Sequence, residues 1–457
     1  MSQSASDLID LTPSQRKRLY EAIVMLVCLT KAYVEGKSAE ATESEINVPR
    51  SKKLVFHCFV NKLAQICDDR RGGDTVTAFA VLQPGNVQYY FGCNGRNAAA
   101  LESVRSYVAD VLNLIGTANP DDVKKATRDS STPLFSHVLQ KIVGFNRPRI
   151  ERYISVLAKS VEDSVHQTSQ EDYEEVVDKT QELLHAIHRC YKGAFTDFIH
   201  DRCSDGPVGR EQTLWDEIYH SLGRLLSYFL AVKVLITACK YWPQLFVDFT
   251  IIPVPSSRPN RDPPQIRKSA SKLITAMTTD NFIINAYRHS ATELQEWGLD
   301  KRIQEVTHHS NFKPIIHAEI LVDDFIRRSQ REDTTGEGPI RFFHQAEFGR
   351  YIGASKPTCR LCALYFNSQV DGVEVRKSHN NPYCNWRVPD VFVHDGERVK
   401  KERDAVLEMM IPRLRNDVFK AILDRRVQWN RFDSNNTATN PGMSDLTSLM
   451  SGMAVAD

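Results

Sequence analysis

The stretch KPIIHAEILVDDF (Lys313–Phe325) sets a histidine and a glutamate two residues apart at the head of an apolar-periodic segment. Further along, SKPTCRLCALYF (Ser355–Phe366) places Pro357 just ahead of a Cys-x-x-Cys pair. Taken singly, each is a weak signal in a chain of 457 residues with 14 histidines and 10 cysteines. Taken together, in this order, they read as one site carried on two helices.

Cys359 and Cys362 are spaced to share a helix face and hold one metal ion. Pro357 favours the start of that helix, and the dipole at a helix N-terminus favours thiolate over thiol. Two thiolates and one neutral imidazole balance the charge of Zn²⁺ and leave a tetrahedral position open, the catalytic arrangement rather than the closed structural one. His317 is the natural nitrogen donor; Cys384 or another histidine remains open as a fourth ligand. Glu319 reads differently. Residues two apart on a helix point about 200° apart, so Glu319 is badly placed as a second ligand. It is well placed to take a proton from a metal-activated water and return it to a leaving amine.

The surroundings change period several times. Thr12, Pro13 and Gln15 signal a capped first helix, and a second helical pattern covers Lys53–Asp69. DTVTAFAVLQPGNVQYYFGCNGRN (Asp74–Asn97) reads as a β-hairpin turning at Pro84-Gly85-Asn86. From Ala98 to Phe249 the pattern is helical almost throughout, with breaks at GTANPDD and CSDGPVG. IIPVPSSRPNRDPPQ (Ile251–Gln265) reads as a Pro-rich linker, neither helix nor central strand. Helix returns from Ser269 to His309. After His317 come expected strands at Arg350–Ser355 and Gly372–Ser378, with a further candidate at DVFVHDG. A charged helix from Glu397 and a polar tail close the chain. An isolated hairpin is marginal in water, so the hairpin is expected to pair with the later strands. The expected divisions are a helical region at 1–70, the first part of an α/β domain at 71–97, and a helical insertion at 98–310. The second part of that domain follows at 311–396, then a helix at 397–433 and a disordered tail at 434–457.

The order His317-Ala318-Glu319 and then Pro357-Thr358-Cys359-Arg360-Leu361-Cys362 is the zinc-deaminase signature, with the glutamate as proton shuttle. The chain resembles the cytidine-deaminase-like superfamily. Within it, RKSHNNPYCNWRVP (Arg376–Pro389) resembles an "RxSH…W…P" stretch of a divergent, uncharacterised branch expanded in fungi. The resemblance covers Asp74–Asn97 and Pro314–Asp395. It implies an α/β fold, a three-layer mixed sheet flanked by helices, here interrupted by a long all-helical insertion. It also implies a zinc-dependent deaminase acting on a nucleobase, cytosine-like before adenine-like. Glu319 would be the catalytic residue, with His317, Cys359 and Cys362 on the metal. An asparagine after the second strand would bind the sugar, Asn94 first and Asn97 behind it; His379 and Trp386 are further substrate candidates. Family members often assemble, so a homo-oligomer is within the expectation. Two departures stand out: Thr358 separates the proline from the first cysteine, and the insertion is far longer than in small deaminases.

Composition sets wide bounds. A hydrophobic share of 42%, a charged share of 25% and a net charge of +1 are those of an ordinary globular protein. They give no global argument for nucleic acid or a membrane surface. The N-terminus MSQSASDLIDL is polar, and dispersed cysteines suit an intracellular setting, cytoplasmic or nuclear. Leu225–Cys239 is the most apolar run; it carries Lys233 and reads as a buried core helix, too short to span a bilayer. Arg350, Lys356, Arg360, Arg376 and Lys377 read first as a solvated face and second as a grip on a phosphate or nucleic-acid backbone. Without catalysis, the alternative is a zinc-stabilised module whose helices bind protein or nucleic acid.

Overall fold

The computed structural model describes residues 7–35, 40–41, 51–167, 210–260, 263–332, 341–370 and 372–429. The expected tail from Ser434 and the break at 203–209 lie outside the described residues. The chain divides into two compact units. The first comprises the described residues within 1–43, 76–105 and 250–433; the second comprises those within 44–75 and 106–249. The described strands, in chain order, are β1 (Glu40–Ala41), β2 (Thr77–Leu82), β3 (Gln88–Cys93), β4 (Thr250–Val254), β5 (Arg350–Ala354), β6 (Val373–Val375) and β7 (Gln428–Trp429).

The first unit is α/β and is built on the hairpin. β2 and β3 pair antiparallel from Thr77↔Cys93 to Leu82↔Gln88, so the turn falls at Pro84-Gly85-Asn86, where the sequence sets it. All six residues of β2 are buried, as a strand covered on both faces requires. The sheet is mixed and five-stranded, in the order β4-β3-β2-β5-β6. The hairpin thus finds its partners in strands made much later in the chain. β3 and β4 pair parallel, β5 and β6 pair parallel, and β2 is antiparallel to both β3 and β5. β3, β4, β5 and β6 therefore run in one direction and end at the same edge of the sheet, where open α/β sheets place their ligands.

β4 corrects the reading of Ile251–Gln265 as a linker. Its first residues form an edge strand, with Ile251 opposite Tyr89 and Pro253 opposite Phe91. Proline is excluded from the middle of a sheet but tolerated at an edge, where its missing N–H breaks no second ladder. The sheet-bearing unit accordingly resumes at Thr250, well before residue 311. DVFVHDG is corrected too: it holds a short 3-10 turn, Val393–Asp395, and not a strand. The Asp395 carboxylate accepts the Phe392 N–H at 2.7 Å and pairs with Arg328 at 2.8 Å, which turns the chain locally.

One helix, Ala318–Glu332, lies across β2, β3 and β5. Its face of Ile320, Leu321, Val322 and Ile326 is buried, and the pairs Asp323–Arg327 and Asp324–Arg328 brace it at i,i+4 spacing. It packs close: a Cβ on Gly92 would meet Val322 Cγ2 at 3.3 Å. Helix Pro13–Glu35 begins with the expected capping box, Thr12 Oγ1 accepting the Gln15 N–H and Gln15 Oε1 accepting the Thr12 N–H. It packs on Gly396–Asp424. This last helix stops at Asp424, because Arg425 turns left-handed (φ 51°), and Gln428–Trp429 pairs with Glu40–Ala41.

The second unit is helical in its described residues, including Lys52–Ile66, Pro133–Phe145, Arg147–Gln167 and Arg210–Tyr241. Arg149 and Asp68 form a buried ion pair at 2.5 Å, and a buried charge is tolerated only when so paired. The apolar run noted above is part of a longer helix than its own residues suggest. His220–Tyr241, mean hydropathy 1.6, is long and apolar enough by length and composition to cross a membrane, which corrects the expectation that it is too short. Most of it, 78% of its apolar window, is buried within the protein, as in a core helix.

Candidate metal centre

The shared edge of β3, β4, β5 and β6 gathers the chemistry. Asn94 follows β3, Pro357–Cys362 follows β5 and His379 follows β6. His317 immediately precedes helix Ala318–Glu332, and its carbonyl accepts the Leu321 N–H at 2.9 Å, so it occupies the N-cap position. Asn94 Oδ1 accepts the Ala318 N–H at 2.8 Å. The end of β3 thus caps the helix that carries His317 and Glu319.

Cys359 precedes its helix, which spans only Arg360–Phe366, instead of sharing its first turn. Its backbone is extended and its Sγ accepts the Cys362 N–H at 3.4 Å. Sulfur at the cap position faces the same way as Cys362 inside the first turn. His317 Nδ1 lies 3.6 Å from Cys359 Sγ and 3.5 Å from Cys362 Sγ. The donor atoms of these residues lie within 4.8 Å of one another, the two cysteines buried and His317 partly so. Two sulfurs and one imidazole nitrogen at this spacing are a donor set that suits zinc.

The electrostatics are tightly coupled. Burial pushes both thiols up, but hydrogen bonding from Cys362 and the His317 imidazole hold Cys359 well below the usual thiol range. Burial and the neighbouring Cys359 sulfur then hold Cys362 well above it. The pair thus favours charge on Cys359 over Cys362, and a metal ligand must be charged. Burial works against charge on His317 as well, yet the Cys359 sulfur, Glu319 and a hydrogen bond to the Asn385 backbone raise its affinity for a proton. Burial pushes the Glu319 carboxyl up to about 7, the Cys359 sulfur adding to the effect and His317 opposing it. A carboxyl poised near neutrality can both accept and release a proton at working pH.

The other expected residues divide. Asn94 is buried, its amide oxygen committed to the helix cap. Asn97 is exposed and caps helix Ala98–Gly116 through Ala100, at 2.9 Å. His379 is buried, with Nδ1 accepting the Asn381 N–H at 3.0 Å, which leaves its proton on Nε2. Trp386 is 0% exposed, so its indole offers no face to a stacked ring. Its N–H has no partner of good geometry, and its nearest effect is to favour charge on the Cys362 sulfur. Of the basic residues near the site in sequence, Arg360 is held by both carboxylate oxygens of Asp417 at 2.8 Å.

Sequence reasoning missed several contributors. Tyr383 lies edge-on to His379, centroids 5.9 Å apart, and 6.4 Å from His317. The Asn385 backbone adds to the proton affinity of His317. Both sit inside RKSHNNPYCNWRVP, where histidine and tryptophan carry the stronger residue-type signal. Ser256 Oγ donates to the Cys93 carbonyl at 2.7 Å, and the Ile316 N–H donates to Ser257 Oγ at 2.8 Å. No residue-type signal in a Pro-rich segment marks such bonds.

The constellation is a compact donor set that could hold a metal ion, with a buried, near-neutral carboxyl beside it. Residues 316–390 match the family model of the OTT_1508-like deaminases. The matched segment holds His317, Glu319, Cys359, Cys362, His379 and Trp386 and excludes the hairpin. The chain thus carries a deaminase-like domain. No curated protein and no solved structure matches it.

Proposed function

We propose that the chain is a zinc-dependent hydrolytic deaminase acting on an amino-substituted nucleobase, a cytosine-like ring before an adenine-like one. The observation that carries this reading is Glu319, buried in the first turn beyond His317 with its carboxyl pushed up to about 7. A purely structural metal site has no use for such a group. Zinc, held by His317, Cys359 and Cys362, would supply the Lewis acid that makes water nucleophilic at neutral pH. Glu319 takes a proton from the attacking water and hands it to the departing nitrogen, so a carbon–oxygen bond replaces a carbon–nitrogen bond and ammonia leaves. His379 contacts the substrate, and Tyr383 forms a wall beside both histidines. Asn94 acts by holding the helix that carries Glu319 in place beside the sugar.

The match over 316–390 and the sheet beneath it support a deaminase-like domain whose hairpin and later strands are separated by the helical insertion. The setting we assign is intracellular.

The test is ammonia release from cytidine, adenosine and their 5′-monophosphates by zinc-loaded protein, wild type against Glu319→Gln. Loss of about 10²–10⁴-fold in rate at unchanged zinc content is expected. Equal ammonia release by the two proteins, or none from wild type, leaves instead a zinc-stabilised module whose helical unit binds protein or nucleic acid.

A further inference from the structure

The segment after β4 belongs to the same edge of the sheet as the metal donors, although its sequence reads as a connector. Residues 255–260 are stitched to the site-bearing segments at several points. Ser256 Oγ donates to the Cys93 carbonyl, one residue before Asn94, and the Ile316 N–H, one residue before His317, donates to Ser257 Oγ. The Asn260 N–H donates to the Pro314 carbonyl at 3.0 Å. Arg387 Nη2, whose guanidinium is clamped to Asp390, donates to the Arg258 carbonyl at 3.0 Å. Pro255 and Pro259 restrict the backbone further.

In the middle of this strap stands Arg258. Its side chain is exposed and makes no ion pair or hydrogen bond among the described residues. Arg387 beside it is committed to Asp390, and two other arginines of the site-bearing segments are committed as well, Arg360 to Asp417 and Arg376 to the Ala354 carbonyl. A strap fixed on both sides of an uncommitted guanidinium has already lost the backbone entropy that ligand binding would otherwise cost. The planar fork of arginine matches a phosphate with two parallel hydrogen bonds.

We infer that Arg258 is a phosphate anchor, so that the substrate class is a nucleoside monophosphate in preference to the bare nucleoside. This rests on the deaminase reading above and adds to it a residue outside the segment matched to the family. A free nucleotide is favoured over a nucleic-acid strand because the chain's net charge is only +1, and extended strand binding relies on neutralising many phosphates.

The test is equilibrium binding by calorimetry to the full-length, zinc-loaded protein, using cytidine, cytidine 5′-monophosphate, adenosine and adenosine 5′-monophosphate. Wild type is compared with Arg258→Ala, Arg258→Lys and Lys313→Ala, the last removing an exposed cation close to the strap. Zinc content and thermal midpoint verify that each variant is folded. The expected result is a monophosphate preference of at least about tenfold in wild type, a charge-assisted pair's worth. It collapses in Arg258→Ala, returns in part in Arg258→Lys and shrinks as salt is raised. A preference kept in Arg258→Ala, lost instead in Lys313→Ala, or missing from a wild type that binds nucleosides overturns the anchor and leaves the deaminase reading standing. A zinc-loaded wild type that binds none of the four compounds overturns both.

Discussion

Asn94 and Ala318, far apart in the chain, are joined by a hydrogen bond of 2.8 Å from the backbone N–H of one to the side-chain oxygen of the other. The bond ties the end of a hairpin strand to the first turn of the helix that carries Glu319, and it sets His317 at the cap. Asn94→Ala leaves a buried helix N–H without its acceptor. The expected cost is about 1–2 kcal/mol, read as a drop of a few degrees in thermal midpoint together with weaker zinc retention. An unchanged midpoint would show that the cap is dispensable.

Zinc content is the second check. Elemental analysis should find about one zinc per chain in wild type and little in Cys359→Ser or Cys362→Ser. Retention should fall as pH is lowered, because protons compete for the thiolates. A well-folded wild type free of zinc after loading would mean that these residues are a relic of a metal site.

Trp386 has no exposed face and bears on the Cys362 sulfur, so its effect should appear in metal affinity. Trp386→Phe keeps most of the buried ring. Zinc affinity should weaken by about tenfold in competition with a chelator, the low end for residues that support a ligand. An affinity equal to wild type would assign the tryptophan to packing alone.

Asp324 supplies a pH signature. Burial pushes its carboxyl from 3.8 to about 6, Asp323 adding and Arg328 opposing. A folded-state value above the unfolded one means that the native chain binds more protons between those limits. Asp324 therefore contributes more to stability as pH falls from 7 to 5, by about 1 kcal/mol. The midpoint of wild type relative to Asp324→Asn should rise by about 2 °C over that interval. A gap that narrows toward pH 5 would show that the Arg328 pair, and not burial, governs the group.

The metal donors and Glu319 were legible because their chemistry demands particular residue types at particular spacings. The hairpin was legible because Val, Thr, Phe and Tyr flank a Pro-Gly-Asn turn. β4 was not, since Pro253 and Pro255 carry a strong breaker signal, and only its place at the sheet edge makes Pro253 acceptable. The roles of Asn385 and Ser257 were hidden for another reason: they act through neighbours distant in the chain that tertiary structure alone brings together. Trp386 and His379 were picked out by type, but burial and tautomer, which fix what they do, depend on neighbours distant in the chain.

The strand order has a consequence in time. β2 and β3 leave the ribosome early, whereas β5, which pairs with β2, ends at Ala354. At about 5–20 residues per second, the hairpin waits on the order of 10–50 s for that neighbour. During that interval the open flank of β2, a run of Thr-Ala-Phe-Ala-Val-Leu with unpaired amides, is a template for any passing chain. Expression at lower temperature or with a chaperone that shields nascent strands should therefore raise the soluble yield more than any stabilisation of the finished fold.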